Sequence, residues 1–171
     1  MILKRCLYLI LLCCFTEAAL AQTGEQEANL KAAFIYNFTK YIDWGTSDES
    51  DFLIGVIGSS PIIASLNEIA KTNTVNNKKI IIKVFNNPEE ISFCNILFIP
   101  AGSPFLLQSI LGKAEKGVLT ISEEAGFAKK GTAFNFVIIN DKLKFETNLK
   151  AITLAGLKAG SQLLKLAIIV G

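Results

Sequence analysis

The spacing of apolar positions changes several times along the chain, and each change predicts an element. From Glu25 to Trp44 the spacing is helical, with Leu30, Phe34, Asn37, Phe38 and Tyr41 within one arc and Thr39, Lys40 and Asp43 opposite. A helix over this stretch, ended by Gly45, buries most of the aromatics of "KAAFIYNFTKYIDWG" and leaves Tyr36 on the polar face beside Lys40 and Asp43. Asn37 stands at the centre of the apolar arc, so it is expected to be buried and bonded to backbone, because a buried amide needs partners.

After the polar "TSDESD", the run "FLIGVIG" reads as a strand bounded by Gly58-Ser59-Ser60-Pro61, where Pro61 can open a helix through about Lys71. "NNKKIIIKVF" supplies a turn and a second strand, "NPEEIS" a short helical turn, and "CNILFIP" a third strand. Ala101-Gly102-Ser103-Pro104 repeats the strand-to-helix junction, with a helix through about Lys116, and "GVLTIS" forms a fourth strand. The strands are β-branched and almost continuously apolar, as strands covered on both faces must be. Their alternation with helices predicts parallel pairing.

"TAFNFVIIN" and "KLKFETN" then meet at Asn140-Asp141, a hairpin signal. A last helix is expected from an Asn148 cap through Ile168, with Ala155, Gly156, Ala159 and Gly160 as a smooth packing stripe. The fold class is therefore α/β: a single-domain layered sandwich with a mixed, mostly parallel sheet, a C-terminal β-hairpin and helices on both faces.

Composition changes this picture first at the N-terminus. Lys4 and Arg5 precede an apolar run from Cys6 to Phe15, and Ala19-Leu20-Ala21 follows, the layout of a secretory signal peptide cleaved after Ala21. Residues 1–21 are thus read as a signal peptide and 22–171 as the mature domain, exported and not integral to the membrane. Without Lys4, Arg5 and Glu17 the formal charge falls from 17 − 15 = +2 to 15 − 14 = +1, which leaves no electrostatic footprint for nucleic acid. Cys6, Cys13 and Cys14 belong to the signal segment, so Cys94 is the one mature cysteine, and its apolar surroundings read as an inert core position.

Chemistry is sparse. The chain has no histidine, which removes the commonest general base and metal ligand and excludes Ser-His-Asp and Cys-His arrangements. In open α/β sheets ligands sit beyond the carboxyl ends of the strands, so Ser59, Ser60, Gly102 and Glu123 should line one common edge, the place for a small-ligand pocket. "GVIGSSP" matches neither the dinucleotide fingerprint nor the P-loop. Glu123 and Glu124 are the fallback pair for acid–base work, though a solvated loop explains them equally, and the residues favour a protein that is not an enzyme and has no cofactor or metal.

Two stretches, "LKAAFIYNFTKYIDW" and "VLTISEEAGFAKKGTAFNFVIINDKLKFETNLKAITLAGLKAGSQLLKLA", resemble the YfiR-like family of exported proteins. The family's pattern opens with a Lys-Ala-Ala-Phe-[Ile/Leu]-Tyr-Asn-Phe helix and runs on through a Val-Leu-Thr-Ile-Ser strand to an Ala/Ser-Gly-Leu-Lys segment. The resemblance implies a periplasmic, non-enzymatic regulator that binds and represses the periplasmic sensor domain of an inner-membrane diguanylate cyclase, or stands beside a sensor kinase. It further implies a homodimer and sequestration by a peptidoglycan-associated outer-membrane lipoprotein. Carried over as motif positions for binding are Tyr36, Asn37, Trp44, Gly126, Phe127, Asn135 and Asn148, of which Trp44, Gly126 and Asn148 also have structural explanations. The chain departs from the pattern at Gly45, at Thr132, and in having Cys94 alone where some relatives carry paired regulatory cysteines.

Overall fold

The computed structural model describes residues 24–45 and 50–171; the expected signal segment lies outside them. Helix α1 covers residues 24–38 and is followed by strand β1 (Ile42–Asp43), β2 (Asp51–Ile57), α2 (Ile62–Thr72), β3 (Thr74–Val75) and β4 (Lys78–Phe85). After a single 3-10 turn, Pro88–Glu90, come β5 (Ile96–Ile99), α3 (Leu107–Leu111), β6 (Leu119–Ser122), β7 (Phe134–Ile139) and β8 (Lys142–Thr147). The chain closes with α4 (Leu149–Leu154), β9 (Lys158–Ala159), α5 (Ser161–Leu164) and β10 (Ile168–Ile169).

The main sheet has eight strands in the order β10-β8-β7-β6-β5-β2-β4-β3. Its centre, β4-β2-β5-β6-β7, is wholly parallel and doubly wound, so the chain reverses direction across the sheet between β2 and β5. Two tight hairpins add the antiparallel margins: Asn76 and Asn77 join β3 to β4, and Asn140 and Asp141 join β7 to β8, all four at positive φ between 50° and 65°. Asparagine and aspartate tolerate that backbone, which matches the twist of the flanking strands.

Side chains of the central strands alternate between two cores, as the pleat requires. Ile96 and Phe98 of β5 face the larger core under α1, α2, α4 and α5, while Leu97 and Ile99 face a smaller one under α3 with Cys94, Phe85 and Ile110. Helices therefore cover both faces, and the mixed, mostly parallel α/β sandwich expected from the alternation is what the chain forms.

Three expectations about helices are corrected. First, α1 ends at residue 38 and gives way to a turn and β1, instead of running to Trp44. Its buried arc is Ala28, Ala32, Ile35, Phe38 and Thr39, continuing to Ile42, whereas Leu30 and Tyr41 are exposed and Phe34 is half-buried. The small Ala28 and Ala32 let the helix backbone approach the sheet, and the bulky rings flank that contact line instead of defining it. Asn37 consequently faces solvent, where its Oδ1 accepts from Lys40 Nζ at 3.2 Å. Second, no continuous helix joins Asn148 to Ile168: Gly156, at φ +74°, ends α4, and the chain becomes extended at β9. The small-residue stripe is therefore not one helical face; Gly160 N donates to Tyr41 O at 2.7 Å beside the two-stranded ladder of β1 and β9. Third, the helix after Pro104 is the short α3, which ends well before Lys116.

Candidate functional site

The carboxyl ends of β2, β5 and β6 do share an edge, and α1 lies across it. Lys31 occupies the buried arc of α1 at its N-terminal part, in line with Ala28 and Ile35 at about 100° per residue. Its Nζ donates to Glu123 Oε2 at 2.5 Å and forms an ion pair with Glu27 Oε1, one turn back, also at 2.5 Å. The other oxygen of Glu123 accepts from Ala101 N at 3.1 Å, and Glu124 Oε2 accepts from Gly102 N at 3.0 Å. The two adjacent carboxylates thus clasp the loop after β5 and the first helix to the end of β6.

This clasp ties α1 to the ends of β5 and β6, one strand over from the reversal point between β2 and β5 where a doubly wound sheet admits a ligand. Two shallow clefts remain beside it. One, of about 180 Å³, is lined by Glu27, Lys31, Ser60, Pro61 and Glu123. The other, of about 280 Å³, has Lys31 and Glu123 at one side and Phe136, Ile138 and Leu143 at the other. Ser60 and Glu123 therefore come together as the sheet topology predicts; Ser59 is exposed, and neither it nor Gly102 lines the cleft.

The remaining motif residues are distributed over the fold. Tyr36 is half-buried against the main core, with Lys40 Nζ 4.5 Å above its ring and its hydroxyl 3.5 Å from Thr74 O. Trp44 packs edge-on to Phe52, centroids 5.0 Å apart, and donates from Nε1 to Thr39 O at 3.1 Å. Gly126, at φ +80°, turns the loop between β6 and β7, and Phe127 docks that loop on the smaller core. Asn148 accepts from Ala151 N at 3.0 Å as the cap of α4 and donates to Ala128 O at 2.8 Å. Asn135 is fully buried, with Oδ1 accepting from Ser122 Oγ at 2.7 Å and Nδ2 donating to Glu146 Oε2 at 3.1 Å. Thr132 joins the same network through a 2.8 Å contact between its hydroxyl and that of Ser122. Gly126, Phe127, Thr132, Asn135 and Asn148 thus converge on one object, the 123–132 loop, whose first two residues make the clasp.

Electrostatically the edge is a holding device. Burial pulls the Lys31 ammonium downward, but hydrogen bonds and charge from Glu123 and Glu27 outweigh it and hold the pKa above its ordinary value. Cys94 is fully buried, and burial pushes its thiol up to about 12, against smaller opposing effects of a Gly55 backbone hydrogen bond and Lys83. Neither group is poised as a nucleophile or base near pH 7. Among the described residues, no group of three or more His, Cys, Asp or Glu could hold a metal ion, and no helix is long and apolar enough to cross a membrane.

Lys31 and Glu27 are absent from the residues singled out in the sequence. Their signal was a lysine on the true buried arc of α1 with a glutamate four residues before it, legible only once the helix phase is set by Ala28, Ala32 and Ile35. Residues 28–168 match the profile of a protein family described as YfiR/HmsC-like. A search of curated proteins found no match.

Proposed function

Since this chain belongs to the YfiR/HmsC-like family, as the match over residues 28–168 establishes, we propose that it is an exported, non-enzymatic regulator. In this reading it binds the periplasmic sensor domain of an inner-membrane signalling enzyme, a diguanylate cyclase or a sensor kinase, and holds it inactive. The family is a regulatory, non-catalytic one, and its periplasmic address agrees with the leader read in residues 1–21.

The observation that carries the reading is the clasp beside the reversal point. Where a ligand-binding or catalytic relative of this sheet would keep an open crevice, Lys31, Glu123 and Glu124 bond to one another's elements and leave clefts of about 180 and 280 Å³. Both are smaller than the roughly 300–1,000 Å³ usual for small-molecule sites; a larger hollow of about 480 Å³ adjoins the smaller cleft at Gly24 and Pro61 but lies between α1 and α2, off the strand ends. Apolar side chains instead stand outside: Ile138 is 55% and Leu30 47% exposed, close in sequence to Phe136 and Phe34, whose rings meet across the α1–β7 contact. Exposed apolar groups rimmed by Lys31, Glu27 and Glu123 suit a protein partner.

The test is genetic and biochemical together. Deleting the gene should raise cellular cyclic di-GMP, and immobilised protein should recover a membrane protein with a periplasmic sensor domain from envelope extracts. The charge-introducing pair Leu30→Asp and Ile138→Asp should weaken that recovery. Unchanged cyclic di-GMP together with recovery of no membrane sensor protein would sink the reading.

A further inference from the structure

A concentration of positive charge lies away from the clasp. A cavity of about 390 Å³ opens between the end of α3, the 129–131 segment and α4, and Lys116, Lys129, Lys130 and Lys150 all line it. Glu115 is the one acidic lining residue, so the cavity carries 4 − 1 = +3, more than the +2 of the entire chain. All four lysines are exposed, and among the described residues none of them makes an ion pair. Lys130 is held by its position 5.5 Å over the Phe127 ring. Self-repulsion among unpaired lysines opposes folding, and a focused positive potential in a concavity attracts anions.

The walls add two further features. Leu111, Val118 and Leu154 are apolar, and Leu154 is 68% exposed although it adjoins the cavity. Thr120, 6% exposed, also lines the cavity and accepts from Ala133 N at 2.9 Å, so its hydroxyl is a fixed polar group in a cationic wall.

We propose that this cavity binds a phosphate ester, its phosphate among the lysines and the Thr120 hydroxyl and its apolar substituent against Leu111, Val118 and Leu154. Lysine is a compact point charge that suits a phosphate dianion from any direction, and three net charges favour a dianion over a monocarboxylate. The source is either a soluble phosphate monoester or the monoester headgroup of phosphatidic acid. The inference stands independently of the partner proposed above, since it concerns a different surface and reads out without that partner.

Calorimetric titration with phenyl phosphate and with benzoate, and co-sedimentation with phosphatidylcholine vesicles with and without phosphatidic acid, test it. Phenyl phosphate should bind and benzoate should not, with affinity falling as salt rises. The exposed double variant Lys129→Gln/Lys130→Gln should lose about tenfold or more in affinity, with unchanged circular dichroism. Thr120→Ser should retain binding and Thr120→Val should weaken it. Binding to vesicles carrying phosphatidic acid, displaced by phenyl phosphate and absent with phosphatidylcholine alone, identifies a lipid source. Binding of neither probe, or binding that the lysine variant leaves unchanged, overturns the proposal.

Discussion

Asn37 and Phe38 are chain neighbours in opposite environments, and the contrast tests how α1 is seated. Phe38 is 1% exposed and meets Phe134, Phe136 and Phe145 at centroid separations of 4.8, 6.0 and 4.9 Å. Its removal leaves a cavity between the helix and two strands, so Phe38→Ala should cost about 3–5 kcal/mol. Asn37 offers only a surface contact with Lys40, and Asn37→Ala should fall within about 0.5 kcal/mol of the parent. Urea midpoints for the two variants decide the matter; a large loss at Asn37 would reinstate the helix phase that its position among the aromatics suggested.

At the level of elements, the 123–132 loop is the part of the fold that most depends on single side chains. Asn148 serves it twice, through the cap of α4 and through Ala128 O, which also accepts from Gly131 N at 3.2 Å. Asn148→Ala should therefore lose about 1 kcal/mol for the cap and a further 0.5–1.5 kcal/mol or so for the second hydrogen bond to that carbonyl. Asn148→Asp keeps the acceptor and loses the donor, so it should recover only the cap contribution. Denaturant titration separates the two, and equal losses would show that the cap contributes nothing. The strands and their parallel order were legible because continuous β-branched runs at "FLIGVIG", "KKIIIKVF" and "CNILFIP" leave no other way to be buried. The helices were less so. α1 was phased on its largest residues, yet Ala28 and Ala32 set the close approach, and side-chain volume along a helix does not reveal which stripe the sheet will meet. The segment after Leu154 keeps helical spacing of apolar residues, but Gly156 at positive φ and the pairing of β9 with β1 override it, a tertiary constraint that local pattern does not carry. The clasp was half visible: Glu123 and Glu124 stood out as adjacent carboxylates, while their partners are one lysine on a distant helix and two backbone amides on another loop.

At the scale of the molecule, Cys94 and Lys31 tie stability to alkaline pH, in separable windows. Cys94 has its folded pKa raised by burial from 9.0 to about 12, so the folded state keeps a thiol proton that the unfolded chain releases above 9.0, and stability falls from there upward. Lys31, opposed by burial but held by Glu123 and Glu27, has a folded pKa raised above 10.5. Its contribution is complete below 10.5 and disappears as pH climbs through the folded value. Neither group makes stability vary near neutrality, where a histidine would, and the chain has none. Urea midpoints measured from about pH 7 to 11.5 on the parent, Cys94→Ala and Lys31→Met should resolve the two. Cys94→Ala should flatten the decline that begins near 9.0, and Lys31→Met, less stable throughout because Glu27 and Glu123 lose their shared cation, should show a shallower decline above 10.5. If Lys31→Met falls in parallel with the parent above that pH, the ammonium is not what holds α1 against the ends of β5 and β6, and the clasp belongs to the backbone contacts of Glu123 and Glu124 alone.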